Sequence, residues 1–325
     1  MSTHSDTTSP SRPVRQNARE LIISEQQAGQ RIDNFLVKHL KGIPRSHIYR
    51  LLRSGQVRVN SGRKKAHYKL QAGDRLRIPP VRVNDDADAD IPPGLLQRLE
   101  NSIIYEDENL LALNKPSGIA VHKGSGLRFG VIEALRQIRP QETLELVHRL
   151  DRDTSGCLLL AKNRDSLAEL HALLRQEKSI HIEKTYLALV AGRWRGGDRT
   201  VDAPLSKIKR GGEHMVEVDK NGDRAISHFH PLEVFEHNDL DCSLMQIRIE
   251  TGRTHQIRVH ALSCGHPLAG DSKYGDKVAN RQFREAGLKR LFLHAQSLYL
   301  PLDTPISIEA PLSDELTAFL DNLKT

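Results

Sequence analysis

Cysteine is scarce: Cys157, Cys242 and Cys264 are the only three in 325 residues. They are far apart and odd in number, which excludes a disulfide framework, and none forms the CxxC pair of a zinc or redox site. Such usage fits a reducing compartment, so a cytoplasmic location is expected. No apolar run approaches the roughly 18 residues of a membrane span. The first residues, MSTHSDTTSPSRP, lack the apolar stretch of a secretory signal, and 1–20 reads as a polar, mobile tail. Internal repeats are also missing. What remains is ordinary for a soluble globular protein, 38% hydrophobic and 27% charged, but too long for one core of about 250–300 residues. Two domains are expected.

The charge divides unevenly. The chain carries +7 overall, yet residues 21–82 hold fourteen basic against three acidic side chains, a local +11. The remainder is mildly acidic. A small basic domain beside a larger acidic one suggests a polyanion-binding module attached to something that does other work. Within 21–82, Ile32, Phe35, Leu36 and Leu40 recur at helical spacing before Gly42 and Pro44. A second helix from about Ser46 buries Ile48, Leu51 and Leu52, with Gly55 at its C′ position. Short strands follow at Val57–Val59 and Arg75–Ile78. Arg45, Arg50, Arg53, Arg58, Lys64 and Lys65 are then candidates for phosphate contacts, which would give salt-sensitive affinity with little sequence information. Two short helices and a small β-element with basic side chains off the core face resemble the S4 RNA-binding domain. From 83 to 100 the composition turns acidic (Asp85, Asp86, Asp88, Asp90) and then to Pro92-Pro93-Gly94, which reads as a linker.

Residues 101–325 alternate short apolar strands with a few helices. Strands are expected at 103–105, 110–113, 157–161, 185–190, 225–234 and 243–249. Helices are expected after an Asp165 cap, near Thr254 and from Ser313. This is an α+β pattern with a largely antiparallel sheet, not a βαβ winding. Several motifs fail on spacing. Gly124-Ser125-Gly126 with Gly130 is no dinucleotide loop. The stretch from Asp151 puts Lys162 where a calcium loop needs Glu. His148-Arg149-Leu150-Asp151 is not the kinase His-Arg-Asp. His255 and His260 stand five apart, and His228-Phe229-His230 lacks a third ligand, so no metal is expected.

One segment survives, His148-Arg149-Leu150-Asp151-Arg152-Asp153-Thr154-Ser155-Gly156, which packs His, two Arg and two Asp into six positions between apolar stretches. Alone it could be a charged surface turn. It is followed, in order, by Lys184-Thr185-Tyr186, by Gly252-Arg253-Thr254-His255-Gln256-Ile257-Arg258-Val259-His260, and by Gly265-His266-Pro267-Leu268 with Gly270-Asp271 and Tyr274-Gly275. These blocks resemble the RluA-type RNA pseudouridine synthases, over nearly the whole chain after the tail. The resemblance implies a pseudouridine synthase fold, a 23S rRNA or large-subunit precursor as partner, and no cofactor, nucleotide or metal. It makes Asp151 the catalytic carboxylate, Arg258 its basic partner and Tyr186 the ring against the uracil. It places Arg149 to fill the space left by a flipped-out base or to clamp phosphates, and leaves Asp153 to structure. A monomer is expected. Other readings of the same residues are an RNA-binding assembly factor with a vestigial site and an N-glycosidase releasing uracil. Two departures stand out: Cys157 at a buried small position, and a slightly long Ser179–Glu183 segment before Lys184.

Overall fold

The computed structural model describes residues 14–16, 18–40, 43, 45–83, 91–124, 127–175, 182–237 and 240–324. The chain divides into two compact units, the first ending at residue 90 and the second beginning at Ile91.

In the first unit, β1 (Val14–Gln16) and β2 (Arg19–Ile22) precede α1 (Ile32–His39) and α2 (Arg45–Arg53), followed by β3 (Arg58–Val59), β4 (Arg75–Ile78) and β5 (Val81–Val83). The strands form a β2-β4-β3 sheet and a separate β1-β5 pair. The helical apolar spacing does what it predicts: Ile32, Phe35 and Leu36 of α1 and Ile48, Leu51 and Leu52 of α2 are buried in one core with Val57, Val59, Leu76 and Ile78. Helix α2 stops in a Schellman motif, with Gly55 N–H donating to Leu52 O and Gln56 N–H to Leu51 O. Gly55 takes φ +70° there, a conformation that costs glycine least. The two helices are tied by buried Asp33, which accepts from Arg31 through both oxygens, from Tyr49 Oη at 2.9 Å and from its neighbour's amide. Residues 1–20 are not wholly a tail: β1 and the start of β2 fall within them. They join by backbone pairing to β5 and β4, which needs no apolar pattern and so leaves little trace in the sequence.

The second unit opens with α3 (Pro93–Glu100), inside the stretch expected to be linker. Pro93 is at the first turn, where its missing N–H costs nothing, and Leu99 is fully buried while Glu100 pairs with Arg139 at 3.1 Å. Asp85, Asp86, Asp88 and Asp90 lie outside the described residues. Then come β6 (Ile103–Glu106), β7 (Leu110–Lys115), α4 (Val131–Ile138), β8 (Glu145–Leu146), β9 (Ser155–Ala161), α5 (Arg164–Arg175) and β10 (Glu183–Ala191). They are followed by β11 (Arg199–Asp202), β12 (Leu205–Arg210), β13 (Glu213–Val218), β14 (Ile226–His237), β15 (Leu240–Ile249), α6 (Gln256–Ser263), α7 (Lys277–Glu285), β16 (Leu293–Leu300), β17 (Ile306–Glu309) and α8 (Asp314–Leu323). Helix α5 is capped by Asn163, whose Oδ1 accepts from Ser166 N–H at 2.9 Å, and not by Asp165, which lies within the first turn. The extra length suspected before Lys184 falls mostly outside the described residues.

The main sheet runs β11-β14-β15-β10-β16-β9-β7-β6, with β17 on β16 and β8 on β9. Its pairings are antiparallel except β9 with β16, so the unit is α+β with a largely antiparallel sheet. The central strands are buried almost throughout: every residue of β9 is, Cys157 included. The parallel contact needs Gly156. At φ +108° a side chain is strained, and a Cβ there would collide with the Ala295 carbonyl.

Candidate active site

Three chain segments bring the expected catalytic side chains together. The first is the loop between β8 and β9. Its backbone is pinned from below by the turn after β7: Gly118 N–H and the Lys115 ammonium both donate to Arg152 O, and Ser117 Oγ donates to Asp153 O at 2.7 Å. A further bond from Thr154 N–H to Asp151 O closes the turn at 3.2 Å. Lys115 is fully buried at the end of an apolar strand and also donates to the carbonyls of Pro116 and Ile119. Burial, reinforced by the Arg290 charge, brings its ammonium down to about 7. By sequence alone, Asn114-Lys115-Pro116-Ser117-Gly118 reads as a turn closing the strand. A lone lysine closing the run Leu110 to Asn114 was the available signal for a buried anchor.

His148 also supports the loop. Its Nε2 accepts from Leu159 N–H on β9 at 3.1 Å, and burial with the nearby Lys184 charge holds the imidazole at about 4. It is a neutral strut. Asp153 pairs with exposed Arg152 at 3.1 Å and lines the cleft beside Asp151.

The second segment is α6 with the turn before it. Arg258, on the first turns of α6, is buried and donates to both oxygens of Asp271, through Nε to Oδ2 and Nη2 to Oδ1, each at 2.7 Å. Its remaining arm, Nη1, reaches Asp151 Oδ2 at 3.4 Å. Burial works against both charges. The bidentate contact outweighs it, holding Asp271 below and Arg258 above their ordinary values, with Asp151 adding to the arginine. Asp271, with side-chain exposure of 0%, therefore neutralises and aims the cation that faces Asp151. The sequence placed Asp271 among its matching blocks without giving it this task.

The third segment is β10, which carries Tyr186 between β15 and β16, beside a register shift relative to β16. Burial, then the Asp151 charge, push its hydroxyl well above the ordinary phenol value, so it stays protonated. Asp151 and Tyr186 line one small cavity with Arg149, Thr154, His255 and Arg258. On either side it meets larger clefts that share Arg149, Gly252 and Arg253. One, of about 560 Å³, includes Arg175, Lys184 and Arg224. The other, of about 700 Å³, includes His122, Arg152 and Lys273. Exposed Arg149 belongs to all three. The site is a trough edged with cations, with Asp151 at its floor.

In the first unit the structure gathers some of the expected basic residues and not others. Arg53, Lys64 and Lys65, together with Arg63, surround a notch of about 560 Å³ floored by Leu52 and Ala66. Lys64 Nζ sits 4.5 Å over the Tyr68 ring. Arg50 is exposed on α2, while Arg58 is half-buried and turns its Nε to Gly55 O at 3.2 Å. The Arg45 side chain lies outside the described atoms. Among the described residues no three His, Cys, Asp or Glu side chains cluster to hold a metal ion, and no helix is long and apolar enough to cross a membrane.

Residues 109–263 match the family model for RNA pseudouridylate synthase, and residues 30–76 that for the S4 domain. The chain is 50% identical over 318 residues to the ribosomal large subunit pseudouridine synthase C of Pasteurella multocida, covering 96% of this chain and 95% of that protein. It is 50% identical over 303 residues to the protein of the same name from Yersinia pestis, covering 91% and 92%. Among solved structures, human RNA pseudouridylate synthase domain containing 4 superimposes with a TM-score of 0.58 at 26% identity, over 71% of this chain and 96% of that one. With half its residues shared along nearly its whole length, and the fold in common as well, the chain belongs to the RNA pseudouridylate synthase family.

Proposed function

We propose that this enzyme isomerises specific uridines of 23S rRNA, free or within a large-subunit precursor, to pseudouridine, with Asp151 as the reacting carboxylate and no cofactor. The observation that carries the proposal is the buried Asp271–Arg258 pair ending on Asp151 Oδ2. It sets a cation against the carboxylate before substrate arrives, in a site that must exclude water.

The reaction breaks N1–C1′, turns the uracil and joins C5 to C1′. C5 then loses its proton and N1 gains one, so nothing is oxidised or hydrolysed. Asp151 serves either as nucleophile at C1′ or as base at C2′ to give a glycal. Both contacts to Arg258 and to His255 fall on Oδ2, which leaves Oδ1 for the sugar. The protonated Tyr186 packs against the base as a neutral surface. The uridine reaches the trough only when flipped from its stack, costing a few kcal/mol, and Arg149 at the mouth takes the vacated place. The basic notch of the first unit anchors rRNA phosphates by charge. The enzyme works as a cytoplasmic monomer. The names of the relatives support the rRNA substrate, and the +11 of residues 21–82 fits it.

The test is carbodiimide mapping of pseudouridine in 23S rRNA from a strain lacking the gene, complemented with wild type or Asp151→Ala. Discrete stops that vanish on deletion and return only with wild type are expected, and they name the target uridines. Stops restored in full by Asp151→Ala would make the chain a binding factor and overturn the assignment.

A further inference from the structure

His255 is the one residue beside Asp151 whose backbone is held in a conformation it would not choose. At φ 54°, ψ 20° it occupies the left-handed region immediately before α6, a geometry that costs a non-glycine residue roughly 1–3 kcal/mol and survives only where the surroundings impose it. The strain turns the imidazole inward. Nδ1 lies 2.8 Å from Tyr274 Oη, and Nε2 lies 3.8 Å from Asp151 Oδ2.

The hydrogen bonds around Tyr274 decide the tautomer. Its hydroxyl already accepts Val216 N–H from β13 at 2.9 Å, and the residue is buried. Its own proton therefore goes to His255 Nδ1, which must be the acceptor, and the ring proton sits on Nε2, facing the carboxylate. The opposite tautomer would point a lone pair at Asp151 and leave a buried hydroxyl proton without an acceptor. The charged groups around the ring are Asp151 in the loop, Arg258 on α6, and Asp271 and Lys273 beyond it. Burial outweighs the pull of Asp151 and holds the imidazole below its ordinary value, so the donor is neutral.

We propose that His255 is a positioning residue for the isomerisation: its Nε2–H, with the tautomer set by Tyr274, faces Oδ2 of Asp151 across 3.8 Å, closes to a hydrogen bond when the substrate is bound, and so fixes the direction in which Oδ1 meets the sugar. This rests on the reading of Asp151 as the reacting carboxylate. Arg258 supplies charge and His255 supplies direction, because a single 3.4 Å contact leaves the carboxylate free to rotate about it. Tyr274 lies under both, with its ring 5.0 Å from the Arg258 guanidinium carbon.

The experiment measures tritium release from a 23S rRNA transcript carrying tritium at uridine C5. Asparagine tolerates the left-handed backbone and can still meet Tyr274, but its amide stops short of Asp151. Glutamine reaches as far as Nε2. His255→Asn is expected to lower kcat about 100-fold, the scale of a misaligned reacting group, with KM within about 3-fold. His255→Gln is expected to recover at least about ten-fold of that loss. If His255→Asn does not fold, Tyr274→Phe decides. Freeing Nδ1 from its set tautomer should lower kcat without moving KM, and an unchanged kcat would overturn the proposal. So would wild-type kcat in His255→Asn, or a His255→Gln variant as slow as His255→Asn. Asp151→Ala is assayed alongside. Release by that variant refutes the reading of the site itself, whereas its silence beside a fully active His255→Asn refutes only the role of His255.

Discussion

The strut beneath the Asp151 loop gives the second unit a defined sensitivity to acid. His148 Nε2 accepts from Leu159 N–H, so protonating the ring replaces an acceptor with a second donor facing that N–H. The group titrates at about 4 in the fold against 6.5 when free. Above pH 6.5 the histidine is neutral in both folded and unfolded chains and contributes no pH dependence. As pH falls from 6.5 to 4 the unfolded chain binds a proton that the folded one refuses, and stability is lost. Between pH 7 and 4.5 the loss from this one group is about 2.5 kcal/mol. Other histidines of the unit are also held low, so the wild-type slope alone is not diagnostic, but His148→Gln removes this contribution while keeping an oxygen for Leu159 N–H. The assay is urea unfolding followed by fluorescence of the chain's single tryptophan. Trp194 is buried in the second unit, 5.4 Å from the Phe229 ring, and so reports that unit separately. The gap in stability between wild type and His148→Gln should change by about 2.5 kcal/mol over this range. Curves that shift in parallel would refute the reasoning.

Three other outcomes follow from the same geometry. Gly156→Ala should destabilise the second unit by about 3 kcal/mol or more, because it adds left-handed strain to a collision with the Ala295 carbonyl; an unchanged Trp194 melting transition would contradict this. Asp271→Asn should abolish turnover and cost about 3–5 kcal/mol, since it removes the negative charge paired with buried Arg258 and leaves Asp151, at 3.4 Å, as the carboxylate in contact with it, and activity assays with urea titration check both. Thiol titration should find Cys157 and Cys242 inert in the native protein, where burial pushes each up to about 12, with the part-exposed Cys264 reacting. All three should react in denaturant.

The parts of this protein legible in its sequence are those written in local pattern or in chemically dense blocks. The apolar spacing of α1 and α2, the unbroken run of β9 and the cluster around Asp151 all belong to the first kind or the second. So did the order of blocks bearing Asp151, Tyr186 and Arg258, which the fold brings to one cavity. What escaped was written only in three dimensions. Asp271 looks like any turn aspartate until Arg258 is seen between its oxygens. Lys115 looks like a turn residue until three carbonyls are found around it. Pro92-Pro93-Gly94 argued for a break, and proline at the first turn of α3 was the competing rule that won. Strand β1 is placed by its pairing with β5, α7 buries only Phe283, and α4 did carry a legible apolar stripe in Val131, Ile132, Ala134 and Leu135 that was passed over.

The one parallel pairing among the described residues, where Ser155 and Gly156 meet His294 and Ala295, also sets a schedule. Strand β16 lies between β10 and β9 in the sheet, so the strand that carries Tyr186 and the strand that follows Asp151 have no common neighbour until residues near 300 have been made. A ribosome synthesising this chain releases the S4 module first, then a half-sheet with Asp151 unplaced, and only at the end the piece that joins the halves. The nascent enzyme can thus hold RNA long before it can act on it.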